Sequence, residues 1–184
     1  MTTLLQRLQP HAELQPGLVD GIEVEVHPLT GSGIGLRFHL SGDTSLIRIP
    51  EVLPTARPAA RADGLWRHTC FEVFIRSPHA LTYHEFNFSP SGQWQAYAFT
   101  DYRIGSLLTL ARDPEIECLL APNGLTLQTT LQAADLPEGA RLQLGLSAVI
   151  ETCDGVISYW ALRHPPGKPD FHHPDTFDLE LDLT

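Results

Sequence analysis

The chain has 184 residues, enough for one domain with a buried core. Hydrophobic residues make up 42% and the mean hydropathy is −0.08, the balance of a soluble globular protein. A formal charge of −10 and an isoelectric point near 5.2 argue against a non-specific nucleic-acid binder, which needs clustered Lys and Arg, and disfavour docking on anionic membrane.

In chain order, residues 2–9 (TTLLQRLQ) read as a short helix ended by Pro10. From Gly21 the apolar period changes to two. Ile22, Val24 and Val26 alternate with Glu23, Glu25 and His27, a half-buried strand. After the turn at Gly31–Gly35 a second strand runs Ile34, Leu36, Phe38, Leu40, and Leu46 to Ile49 reads as a third. The Pro- and Ala-rich segment 50–64 is expected to be a long ordered loop. Phe71–Ile75, Thr82–Phe88 and Trp94–Thr100 follow as three strands, with Ser89-Pro90-Ser91-Gly92 turning between the last two. Ile104–Arg112 fits either a short helix or a loop. Ile116–Leu120 and Leu125–Leu131 flank Pro122-Asn123-Gly124, a hairpin signal. Leu142–Ile150, Val156–Leu162 and the clean alternation Phe177, Leu179, Leu181, Leu183 complete the set.

About ten short strands with little helix define an all-β protein, an antiparallel β-sandwich. No repeat or low-complexity stretch divides it. One domain spanning 1–184 is expected, with residues 1–20 as an N-terminal extension. The opening stretch has no basic leader and no unbroken apolar run, and no segment reaches membrane-spanning length, so a cytoplasmic location is expected. Cys70, Cys118 and Cys153 are odd in number and lack CxxC spacing, which fits reduced thiols, with Cys70 and Cys118 as small buried hydrophobes.

Two stretches carry unusual chemistry for a plain sandwich: residues 65–103 and 158–177, both rich in Trp, Tyr, His and acids. Side chains alternate faces along a strand. If Phe71, Val73, Ile75, Phe86 and Phe88 face the core, then Glu72, Tyr83, Glu85 and Asn87 share the opposite face, with Tyr97 beside them. Carboxylates and an amide pair hydrogen bonds, and rings offer flat apolar platforms; hydroxylated ligands such as sugars need both. The same set also fits a polar network beneath a loop. Trp66 and Trp160 sit beside loops as stacking candidates, His68, His164, Asp170 and His172 fall near the expected rim, and the 166–173 loop is expected to close it. The histidines invite a metal reading, but the spacing of His68, Cys70 and Glu72 matches no known ligand pattern, and no metal site is assigned. No catalytic motif stands out: there is no GxSxG elbow, the glycines at 31, 33 and 35 lead into a strand rather than a helix, and Glu72 and Glu85 by themselves are a weak glycosidase signal.

The runs WRHTCFEVFI (66–75), YHEFNFSPSGQWQAYAFTDYR (83–103), LSAVIE (146–151) and SYWALRHPPGKPDFH (158–172), with the Phe-Asp-Leu ending, resemble the bacterial DOMON-like proteins, relatives of family-nine carbohydrate-binding modules. The resemblance covers nearly everything after residue 20. It implies an immunoglobulin-like form of the sandwich, and a haem or sugar pocket within it. The haem version uses a Met with a His or Lys; here the only methionine is Met1, so that ligation is not available. The sugar version stacks its ligand on aromatics and bonds it through acids and amides, roles that Trp66, Trp160, Glu72, Glu85 and Asn87 would fill. The expectation is therefore a non-catalytic protein binding a small carbohydrate or polyol, with no cofactor. The alternatives are a haem- or metal-binding protein that uses the histidines, and a structural or protein-interaction domain.

Overall fold

A computed structural model of the chain describes residues 3–12, 19–31, 33–50 and 60–183. Among these lie twelve strands and four single-turn 3-10 helices. The strands are β1 (Leu4–Pro10), β2 (Val19–Pro28), β3 (Ile34–Gly42), β4 (Cys70–Arg76), β5 (Tyr83–Phe88), β6 (Trp94–Asp101), β7 (Ile104–Leu107), β8 (Ile116–Ala121), β9 (Gly124–Leu131), β10 (Arg141–Glu151), β11 (Ile157–Ala161) and β12 (Leu179–Asp182).

All strand pairings are antiparallel. One layer runs β1-β2-β3-β9-β8 and the other β7-β6-β5-β4-β10, with β11 and β12 sharing the far edge of β10. The layers join at β1. Its Leu4–Leu8 part pairs with β2, while Gln9 and Pro10 pair with Ala161 and Trp160 of β11. The inward side chains of both layers form one core, in which Phe38 of β3 meets Phe71 of β4 at 5.1 Å between ring centroids. Alternation thus places Ile22, Val24 and Val26, Leu36, Phe38 and Leu40, Phe71, Val73 and Ile75, and Leu142, Leu144 and Leu146 inside. This is the β-sandwich expected from the periodicity.

Three local expectations are corrected. The N-terminal segment is strand β1, not a helix. A lone helix of that length is marginal in water, whereas the open edges of β2 and β11 offer a full ladder of backbone partners. The strand read at Leu46–Ile49 is a 3-10 turn, Thr44–Leu46, started by Asp43, whose carboxylate accepts from the Ser45 N–H at 3.0 Å. Only Ile47 makes a bridge, to Thr152. The ambiguous stretch after Tyr102 is neither helix nor loop at its start: Ile104–Leu107 is edge strand β7, reached through Arg103 in the left-handed conformation (φ 55°). Of the long loop expected over 50–64, residues 51–59 lie outside the described residues.

One glycine shapes the outer face of the second layer. At Gly145 an added Cβ would meet the carbonyl oxygen of Thr176 at 3.1 Å and the Phe74 Cβ at 3.5 Å. The bare backbone there lets the segment before β12 lie flat on the sheet. The preceding loop can then stand over β4 and β5.

Candidate functional site

The outward face of the second layer is built in rows set by register. Gln95, Asn87, Glu72 and Ser147 stand side by side on β6, β5, β4 and β10; the next row holds Tyr97, Glu85 and Phe74 and ends at Gly145. The loop 163–178 stands over this face. Between them lies a cleft of about 620 Å³. Glu72, Glu85 and Phe74 form its floor, Tyr97, Phe99 and Arg103 one wall, and Tyr159 with Lys168, Phe171 and His172 the other; Trp66 stands at the mouth.

Glu72, Glu85, Tyr97, Trp66 and His172, named from the sequence, are brought together here. Tyr83 and Asn87 lie directly behind the lining. Tyr83 stacks on Phe99 at 4.6 Å between ring centroids, and its hydroxyl lies 2.9 Å from His172 Nδ1. Asn87 is fully buried and donates from Nδ2 to Glu85 Oε1 at 2.8 Å. Asp170 anchors the loop: it accepts from Arg103 at 2.9 Å, from the Tyr102 hydroxyl at 2.7 Å and from the His172 backbone N–H at 3.1 Å.

Three residues singled out in the sequence lie elsewhere. Trp160 is in the core: it pairs with Ala148, whose side chain points inward, and its indole N–H donates to Ser158 Oγ at 3.1 Å. Its neighbour Tyr159 takes the cleft position instead, packing edge-on against Phe171. His68 pairs with Glu151 at 2.7 Å, next to Arg48 on the same carboxylate. His164 props the loop from behind, with Nε2 on the Gln9 carbonyl at 2.9 Å and its ring against His11 and Phe171. The described residues hold no group of three or more His, Cys, Asp and Glu side chains that could hold a metal ion.

The floor is electrostatically unusual. Glu72 is 2% exposed; Ser147 Oγ donates to its Oε2 at 3.5 Å, and its Oε1 has no hydrogen-bond partner. Burial, and then the neighbouring Glu85, push its carboxyl well above the usual range, against the smaller pull of the Ser147 bond. Glu85 is raised to about 7, mainly by burial, with the Asn87 bond and the Arg103 charge opposing. Cys70, behind the floor, is raised well above an ordinary thiol by burial and by the same two glutamates. His172 is lowered to about 4 by burial and the Arg103 charge, against Asp170, so it is neutral near pH 7. For Asp170, burial is outweighed by the bonds from Tyr102 and Arg103, which hold it below the ordinary value.

The tautomer of His172 follows from its neighbours. The Arg103 backbone N–H donates to the Tyr83 oxygen at 3.2 Å. Tyr83 then gives its one proton to His172 Nδ1, so the neutral ring carries hydrogen on Nε2, which faces Glu85 Oε2 at 3.8 Å.

Several lining residues were not singled out as binders. Phe74 and Phe99 follow from the same period-two alternation as Glu72 and Tyr97, but a phenylalanine in a strand reads as core. Tyr159 differs from Trp160 by one position, a choice of face that alternation leaves open. Arg103 carries no sequence signal beyond its place in a turn.

Comparison with solved structures finds the same architecture in proteins of low sequence identity. A candidate carbohydrate-binding protein from Bacteroides uniformis superposes with a TM-score of 0.67 at 13% identity, over 94% of this chain and 83% of the other. A family-9 carbohydrate-binding module from Caldicellulosiruptor kristjanssonii, in complex with cellotriose, gives 0.55 at 10% identity over 90% and 75%. The structure of such a module from the same organism with glucose gives 0.54 at 10% identity over 89% and 76%. The chain thus has the sandwich fold seen in family-9 carbohydrate-binding modules. No protein-family model and no curated protein matches the sequence.

Proposed function

We propose that this is a non-catalytic, DOMON-like binding protein for a small carbohydrate or polyol, and that the cleft on the outer face of β4, β5 and β6 is its site. The observation that carries the reading is the combination inside one cleft. Rings of Trp66, Tyr97, Tyr159 and Phe171 stand around two buried carboxylates, in a volume of about 620 Å³ that suits a small ligand. A sugar presents apolar C–H faces to rings and hydroxyl donors to carboxylates, so the lining matches it on both counts. The family-9 modules of this fold that hold cellotriose and glucose support the same reading. Three free cysteines fit the cytoplasm as the place of action.

The test is titration with a panel of mono- and disaccharides, followed by tryptophan fluorescence and calorimetry. Trp66 is 47% exposed, while Trp94 and Trp160 are buried, so a ligand in the cleft should change the Trp66 signal. Single-site sugar recognition of this kind falls at roughly −4 to −8 kcal/mol, micromolar to millimolar. A panel that leaves both fluorescence and heat unchanged at tens of millimolar would remove the reading.

A further inference from the structure

With both glutamates ionised, the floor of the cleft has more acceptors than donors; without a ligand, burial favours their protonated forms, and a bound cation would favour the charged ones. Glu72 Oε1 and Asn87 Oδ1 are buried and have no partner, and Glu85 Oε2 meets only His172 Nε2, at 3.8 Å. Most donors nearby are already used, and Lys168, on the opposite wall, makes no hydrogen bond or ion pair with either carboxylate. Ser147 Oγ–H is given to Glu72, and Asn87 Nδ2 to Glu85 Oε1. Arg103, on the wall, is committed to Asp170 and Tyr102. Two carboxylates are therefore held under a cleft with no cationic side chain bonded to either. Burying a carboxylate without a counter-charge is costly, and folds usually pair such groups. Glu72 is the sharper case, since it lines the cleft, is 2% exposed, and leaves one oxygen unbonded.

The group that complements such a floor has several N–H donors, no acceptor and a positive charge. An alkylammonium meets all three conditions: three donors on one compact cation. A neutral hydroxyl brings one donor and no charge, and so satisfies only one of these oxygens. The aromatic walls add to the same preference, because ring faces attract cations.

We propose that the ligand carries a protonated amine, as in an amino sugar or amino polyol, with the ammonium seated on Glu72 and Glu85 and the hydroxylated remainder between the rings. This rests on the carbohydrate reading above and narrows its ligand class.

The test is calorimetry near neutral pH with D-glucosamine, D-galactosamine and 1-amino-1-deoxy-D-sorbitol, each against its neutral parent, together with N-acetyl-D-glucosamine and the diamine putrescine. At least one amine should bind about tenfold or more tighter than its parent and than the acetylated sugar, the scale of one charge-assisted contact. That preference should disappear in Glu85→Gln, whose fold is checked by circular dichroism, and in Glu72→Gln as a second variant. Neutral parents that bind as well as every amine would overturn the ammonium assignment and leave the carbohydrate reading standing. Putrescine binding as tightly as the amino sugars would keep the ammonium and remove the sugar. Binding by none of these compounds would overturn both.

Discussion

Replacing Glu85 by glutamine should stabilise the protein, and only above acidic pH. Folding moves this side chain from water to a position 5% exposed, and burial raises its pKa from 4.5 to about 7. Between those two values the folded chain keeps a proton that the unfolded chain has lost. The unfolded state then binds fewer protons, so stability falls as pH rises through the window. One pKa unit corresponds to about 1.4 kcal/mol, so the span from 4.5 to about 7 removes about 3 kcal/mol once the pH exceeds 7. Below about pH 4.5 both states hold the proton and the cost vanishes. Glutamine has the same shape, retains an oxygen for the Asn87 amide and carries no charge. Urea denaturation of both proteins at several pH values checks this. The stability difference should be small near pH 4.5 and reach about 3 kcal/mol in favour of the variant near pH 8. Other ionisable groups are common to both proteins and largely cancel; Glu72, freed of a charged neighbour, shifts the difference in the same direction. A difference that does not change with pH, or a variant less stable at pH 8, would refute the burial argument. The same substitution should weaken ligand binding, so the wild-type floor gives up stability to keep its site.

Further outcomes follow from other parts of the molecule. Trp66→Ala should leave urea stability within about 0.5 kcal/mol, since the side chain is half exposed, yet weaken sugar binding about tenfold by calorimetry. Nitrogen-15 NMR should show the His172 ring neutral with hydrogen on Nε2 down to about pH 4; a ring that charges near 6.5 would contradict its burial. Phe71→Ala removes a fully buried ring in contact with Phe38 across the layers and should cost about 3–5 kcal/mol in urea unfolding. Asp170→Asn loosens the ties to Arg103 and Tyr102; amide exchange should speed up over residues 164–173 and stay unchanged in β10, with a global loss of about 1 kcal/mol or less.

Most of the sandwich is legible in local sequence, because side chains that alternate every residue mark a strand with one wet and one dry face. The hairpins β4-β5-β6 show why the floor could be read so closely. Once Phe71, Val73 and Phe86 are placed inward, the opposite face of the same strands must carry Glu72, Glu85 and Asn87. Neighbouring strands joined by short turns leave little freedom of register. The walls are different. Lys168, Phe171 and His172 come from a loop whose path depends on Gly145 and on the grip of Arg103 on Asp170, both far away in sequence.

Two elements show what local sequence leaves open. Leu4–Pro10 fits a helix or a strand by pattern alone; the vacant edges of β2 and β11, contacts distant along the chain, make it a strand. In β11 alternation requires Tyr159 and Trp160 to face opposite ways but does not say which is inside, since a one-residue slip exchanges the faces. Pairing with β10, which sets Trp160 opposite Ala148, sends the tryptophan into the core and gives the tyrosine to the cleft. Sequence therefore determined the strands and their two faces through short-range periodicity, while the choice of face at β11, the conversion of the N-terminus to a strand and the closing of the cleft rest on long-range pairing that only the assembled sheets supply.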